Sequence, residues 1–218
     1  MLVVCRDVSL GGAESSAGDT VNLTVSAGEV CTIVGSSGSG KTRLCQFLSA
    51  TEPLVRGVIT VDGCSVADGP RQIRQRVTNV VPEAPLWPDR STRSNVEYVL
   101  RVCGLPKPSS ESTIHALRLA EVPDRLFDAP VNELSHFHRF GVWMAIHRLR
   151  QARVLLMDDP FLRLTGWETE CLARLIEEGL EGARCAVITS RSADLPAGVA
   201  SRRYRITRGQ LTKIETPA

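Results

Sequence analysis

Eight residues, Gly35-Ser36-Ser37-Gly38-Ser39-Gly40-Lys41-Thr42, follow the spacing G-x-x-x-x-G-K-[ST]. They sit between an apolar run, Val30 to Val34, and a segment in which Leu44, Phe47 and Leu48 recur at helical spacing. That context reads as a phosphate-binding loop. Glycines let backbone N–H groups turn inward around phosphate oxygens, and the start of the following helix favours an anion. Lys41 then places a cation on the outer phosphates, and Thr42 offers a hydroxyl to Mg²⁺. Far downstream, "RVLLMDDP" is an apolar strand that ends in Asp158. A carboxylate there suits a magnesium ion held through water. The next residue, Asp159, is placed to polarise an attacking water as a general base. Taken singly, the loop could be a glycine-rich turn and "DDP" a strand end. Together they read as the two halves of a nucleoside-triphosphate site.

The elements around these residues must hold them. "MLVVCRDV", "DTVNLTVSAGE" and "GVITVDG" read as strands, the second alternating Val21, Leu23 and Val25 with polar neighbours. From about Pro82 to Ser135 the chain is helix-biased and punctuated by prolines, with Val96, Val99, Leu100 and Cys103 on one face. Ile114, Leu117 and Glu121 mark another helix, capped at Ser109 or Ser110. Helix over 136–151, strand over 153–157, helix near 166–180 and strand over 184–189 then alternate, which predicts a parallel sheet covered by helices. A hairpin turning at Arg208-Gly209 closes the pattern. In the helix starting near His136, the side chains of His136, Phe140, Trp143 and His147 share one stripe and Val142, Ala145, Ile146 and Leu149 another. The first stripe is either a protein contact or packing inside the chain.

The 218 residues, 43% of them apolar, suffice for one domain with an insertion. A net charge of +2 makes no demand for nucleic acid. Seven scattered cysteines lack the clustering of a zinc cage and point to a reducing compartment. No apolar run has the length of a membrane span, and the opening residues, with Arg6 among them, show no cleavage pattern.

With these motifs in order, the chain resembles the nucleotide-binding subunits of ABC transporters over essentially its whole length. Leu134-Ser135 in "ELSHFHR" stands 24 residues before Asp158, the distance at which that family carries its L-S-G-G-Q signature ahead of the strand aspartate. "PDRSTRSNVEYVL" resembles the stretch after the family's Q-loop, and "DDPF" is similar to a form found in lipid-handling members. The resemblance implies an α/β P-loop NTPase: a single domain over 1–218 with an N-terminal antiparallel β-subdomain, a parallel-sheet core and a helical subdomain inserted over about 83–150. It implies ATP and Mg²⁺ as cofactors. Implied partners are an integral membrane permease and a second ABC ATPase subunit, identical or related. The implied location is the cytoplasmic face of the membrane.

The departures are specific. The signature glycines fall on His136 and Phe137 and the glutamine on His138, so a Phe side chain is expected to obstruct the approach of a partner's phosphate. The Q-loop glutamine falls on Pro82, the D-loop aspartate near Thr165, the catalytic glutamate on Asp159 and the switch histidine on Arg191. No aromatic residue stands near Gly11-Gly12 to stack an adenine. Binding therefore carries over at Lys41, Thr42 and Asp158, while hydrolysis is expected to be slow. Arg191 is either a cation near the outermost phosphate or an exposed surface arginine. Two further readings are a nucleotide-dependent scaffold that does not hydrolyse ATP and an unrelated P-loop phosphotransferase. The gap-free spacing from Leu134 to Asp158 speaks against the phosphotransferase.

Overall fold

The computed structural model describes residues 1–11, 20–80, 86–192, 195–196 and 199–214. Strand β1 (Val3–Ser9) pairs antiparallel with β2 (Thr20–Val25) and with β4 (Val58–Val61), and β4 turns through Asp62-Gly63 into β5 (Cys64–Ser65). Both turn residues have positive φ, the conformation a two-residue hairpin needs. This sheet runs in the order β2-β1-β4-β5.

The second sheet is wound from β3 (Val30–Val34), β6 (Val77–Val80), β7 (Val154–Asp158), β8 (Cys185–Ser190), β9 (Arg202–Thr207) and β10 (Gln210–Ile214). Its order is β10-β9-β3-β8-β7-β6, parallel throughout except for β10, which turns back at Arg208-Gly209. The central strands are buried on both faces. Val154 and Leu156 of β7, with Cys185 and Val187 of β8, face the first sheet together with Leu44, Phe47 and Leu48 of α1 (Lys41–Leu48). Leu155, Met157, Ala186 and Ile188 point the other way. Burial on both sides is why these strands read as unbroken apolar runs.

On that other face lie α3 (Thr92–Val102), α4 (Ser110–Leu119), α5 (His136–Arg150) and α6 (Gly166–Gly179). Ser91, Ser109 and Ser135 cap the first three, each hydroxyl accepting the N–H three residues on. Ser109 is thus the cap expected for α4, but that helix stops before Glu121, which has φ 57 and stands outside it. The first three of these helices lie between β6 and β7. A short helix, α2 (Pro70–Arg76), and β6 itself were not foreseen: "VTNV" is too short and too polar to announce a buried strand.

Helix α5 is the pillar of this layer. Most of both apolar stripes is consumed within the chain: Phe140, Val142, Trp143, Ala145, Ile146 and His147 are buried, while His136 and Leu149 are half-buried. The stripe read as a protein contact or internal packing is internal packing at Phe140, Trp143 and His147. The Nδ1 of His147 lies 3.0 Å from the Thr78 hydroxyl of β6, which explains both polar residues. Burial first, then the charges of Arg184 and Arg150, hold the imidazole neutral, with its pKa down at about 3. At Gly141 a β-carbon would come within 2.5 Å of the Ala120 carbonyl oxygen, so α5 touches the end of α4 with backbone.

Two outcomes follow from this packing. Gly141→Ala gains up to ~1 kcal/mol of helix propensity but loses ~1–3 kcal/mol to overpacking. A lower urea midpoint is expected, with an unchanged slope. In the unfolded chain His147 titrates near 6.5 and in the folded chain near 3, so the unfolded state binds the extra proton between these values. Stability from this group is complete above pH 6.5 and falls as pH drops toward 3, at on the order of 1 kcal/mol per pH unit. Thermal unfolding midpoints across pH 4–7 should show that slope, and His147→Gln should flatten it.

Candidate functional site

Strands β3, β8 and β7 are neighbours, and the ends of all three release their next residues at one edge of the sheet, where open α/β sheets bind ligands. The loop Gly35–Gly40 leaves β3 and Lys41 opens α1. Gly40 has φ 102, a conformation that disfavours any side chain, and a β-carbon there would also press on Leu10 at 3.0 Å. Gly35 is required for a different reason: a β-carbon would lie 2.6 Å from the Ile206 side chain and 2.8 Å from its carbonyl oxygen. The loop is thus seated against β9.

Lys41 is buried, and its ammonium donates to the carbonyls of Gly35 at 2.7 Å and Ser36 at 2.9 Å. Thr42 donates its hydroxyl to Asp158 Oδ2 at 2.7 Å. The other oxygen of Asp158 accepts from the hydroxyl of Thr189, the residue paired with it on β8. Asp158 is itself buried. Three segments meet on this one carboxylate. Asp159, one residue on, has φ 49 and donates its N–H to the Thr189 carbonyl. Its side chain accepts from the Arg191 backbone N–H at 2.7 Å and from Arg191 Nε at 3.0 Å.

Ser37, Gly38, Gly40, Lys41, Thr42, Asp159 and Arg191 share the wall of one cleft of about 370 Å³. Arg43 also lines it, held by Glu52 at 3.0 Å and by the Leu10 carbonyl at 2.9 Å. Ser39 carries a buried hydroxyl without a partner among the described residues. A lysine and the leading N–H groups of α1, which no preceding turn can satisfy, suit a phosphate chain. The oxygens of Thr42 and Asp158, 2.7 Å apart, form the hard-donor pair that magnesium prefers. The donor set therefore fits Mg²⁺ and a nucleoside triphosphate.

The structure brings every predicted site residue to this edge: Gly35 to Thr42, Asp158, Asp159 and Arg191. Arg191 is exposed, as one of its two readings had it, yet it is bound to Asp159. Thr189, which orients Asp158, was missed, as were Leu10, Arg43, Gln46 and Glu52 in the cleft wall. Thr189 had a signal, a polar residue ending an apolar strand run. Pro82 and Gly12 lie outside the described residues.

The degenerate signature needs a correction. Phe137 does not project into the approach. It is 1% exposed, turned into the helical layer with its ring edge-on to Trp167 at 5.2 Å. His136 and His138 occupy the outer positions, both with pKa lowered, chiefly by burial. The Ser135 hydroxyl is already committed to His138, accepting its N–H at 3.2 Å and lying 3.0 Å from its Nδ1. Thr165, at the D-loop position, caps α6, where Glu168 accepts its N–H at 2.8 Å.

The model of the ABC transporter family matches residues 19–162. The chain belongs to the ABC transporter family. The spermidine/putrescine import ATP-binding protein of Nitratidesulfovibrio vulgaris is 32% identical over 164 residues, 75% of this chain and 44% of that protein. The homologous protein of Nitrosomonas europaea is 28% identical across 100% of this chain and 60% of its own length. The chain thus spans roughly half of these two ABC relatives. The cytochrome c biogenesis ATP-binding export protein of Cupriavidus metallidurans, 28% identical, is matched over 81% of this chain and 82% of that one. Among solved structures, a dimeric ATP-binding cassette in a post-hydrolysis state with ADP and Pi superposes with TM-score 0.85 over 100% of both chains at 22% identity. The fold is that of an ABC nucleotide-binding domain.

The geometry at Asp158 makes a structural prediction. Asp158→Ala strands the buried Thr189 hydroxyl without its acceptor, a loss of about 1–3 kcal/mol. Denaturant titration should show it, and Thr189→Val in the same chain should recover part of it.

Proposed function

We propose that this chain is the ATP-binding subunit of an ABC transporter. The reading rests on one observation above all: Lys41, Thr42 and Asp158 stand together at the edge of the parallel sheet, with Thr42 and Asp158 joined at 2.7 Å. In this reading the loop Gly35–Gly40 wraps the phosphates of ATP with its N–H groups. Lys41 exchanges its loop carbonyls for phosphate oxygens. Thr42 and Asp158 hold Mg²⁺, Asp158 through water. Bound magnesium would neutralise phosphate charge and orient the outer phosphate. Asp159 is the general base for water.

Nucleotide binding would join this chain to a second copy or a related ATPase subunit and thereby drive or gate an integral membrane permease from its cytoplasmic face. Support comes from family membership and from the relatives, whose names describe ATP-binding proteins of import and export systems. No helix among the described residues is long and apolar enough to cross a membrane, so the permease would be a separate segment or chain.

Hydrolysis is proposed to be slow. Asp159 is one methylene shorter than glutamate, and both of its oxygens are engaged by Arg191. That engagement also favours the second reading, a nucleotide-dependent scaffold that binds ATP and does not turn it over.

Calorimetry with Mg·ATP and a steady-state phosphate-release assay, each with and without a co-purified permease, test the proposal. Saturable binding is expected, weakened about tenfold or more by Lys41→Ala, the loss of a charge-assisted contact. A transporter subunit should release phosphate slowly, and Asp159→Asn should cut that rate about 10²-fold, the usual cost of a transition-state group. Binding with no release under any condition would support the scaffold, and no saturable binding would remove both readings.

A further inference from the structure

Three cations line the nucleotide cleft, and they are held very differently. Lys41 is buried and bonded to two loop carbonyls. Arg43 is braced by Glu52 and the Leu10 carbonyl. Arg191 leans out from the end of β8 with its side chain 61% exposed, while the carboxylate it holds, Asp159, is only 11% exposed. The side-chain contact is a single Nε–Oδ2 bond of 3.0 Å, and the second bond to Asp159 comes from the Arg191 backbone. The guanidinium therefore keeps its paired N–H fork uncommitted to Asp159. On its exposed side the guanidinium is held by that one side-chain bond alone. A guanidinium fork meeting a phosphate is the stronger arrangement.

Resting on the reading that the loop binds Mg·ATP, we propose that the Asp159–Arg191 ion pair is an internal plug which only a triphosphate opens. Arg191 stands in the cleft as a specificity-determining residue that exchanges the Asp159 carboxylate for the outermost phosphate. The placement supplies the selectivity. Loop N–H groups and Lys41 reach the phosphates from the β3 side. Arg191 enters from the β8 side, beside the carboxylates at the end of β7. A diphosphate satisfied by the loop has no third group to offer that wall. The exchange has a second effect: Asp159, freed of the guanidinium, presents Oδ2 to water while the Arg191 N–H still fixes Oδ1. In the plugged state both oxygens of that carboxylate already accept from Arg191. The pair thus links recognition of the third phosphate to availability of the base.

The test is a double-mutant cycle read by binding. Kd values for Mg·ADP and for the magnesium complex of β,γ-imido-ATP are measured by calorimetry on the wild-type chain, Arg191→Ala, Arg191→Lys, Asp159→Ala and the double variant. Both side chains lie at the cleft surface, and unfolding midpoints without nucleotide check that each variant is folded. Arg191→Ala should weaken the triphosphate analogue about tenfold and change ADP by no more than about twofold, the loss of one charge-assisted contact. Arg191→Lys, a cation without the fork, should fall between. Asp159→Ala, by removing the competitor, should tighten the triphosphate analogue several-fold, and that gain should vanish in the double variant. An unchanged ratio of the two affinities in Arg191→Ala, or weaker analogue binding in Asp159→Ala, would overturn the plug while leaving the binding site intact. A wild-type chain that takes up neither nucleotide would overturn the proposed function and the plug together.

Discussion

A single buried carboxylate holds the working edge of this protein together. Asp158 accepts from Thr42 at the start of α1 and from Thr189 at the end of β8, while itself ending β7. The phosphate loop is thereby tied to two strands that arrive more than a hundred residues later. A buried carboxylate is costly unless its oxygens are satisfied. Here the groups that satisfy it also aim it, so the stability of the edge and the readiness of the proposed metal ligands are one arrangement. The two-sided burial of β7 and β8 then fixes where that carboxylate can be.

The pair proposed for hydrolysis, Asp159 and Arg191, is joined by charge. Where the family carries a glutamate and a histidine, Asp159 and Arg191 form an ion pair across neighbouring strand ends. A neutral imidazole can give or take a proton, but a guanidinium at working pH can only donate hydrogen bonds. On the proposed reading, the site would keep the means to grip phosphate and change the terms on which its base is available. At the signature position the same conservatism holds: Ser135 still caps α5, yet its hydroxyl is turned to His138, and Phe137 packs inward against Trp167.

Much of this was legible in residue order. The run Val30–Val34, the glycine loop and the apolar strand ending at Asp158 announce their own geometry, because periodicity and glycine spacing are local signals. The lapses come from non-local causes. Strand β6 is short and half polar, and it is buried by distant partners: β7 beside it and His147 of α5 against Thr78. Glu121 matches helical spacing, but α4 has already ended at a cap that spacing does not reveal. Phe137 aligned with an outward-facing glycine and was read as outward. Its phase with Phe140 and Met144, at i, i+3 and i+7, carried the inward answer. Asp159 and Arg191 are 32 positions apart, and their meeting depends on the register of β7 against β8, which pairs Asp158 with Thr189.

The seating of Gly35 against Ile206 carries a consequence for how the protein is made. The loop's floor is β9, and the flanks of β3 are β8 and β9, all translated long after the loop itself. A nascent chain that has left the ribosome only as far as α5 holds the whole glycine loop but neither β8 nor β9. Such a chain must wait, with β3 unpaired, for its last parallel partners, a long-range closure that is slow and leaves apolar edges open meanwhile. On the proposed function, nucleotide would stabilise this fold only after β8 and β9 have been made, which leaves the interval before it to chaperones.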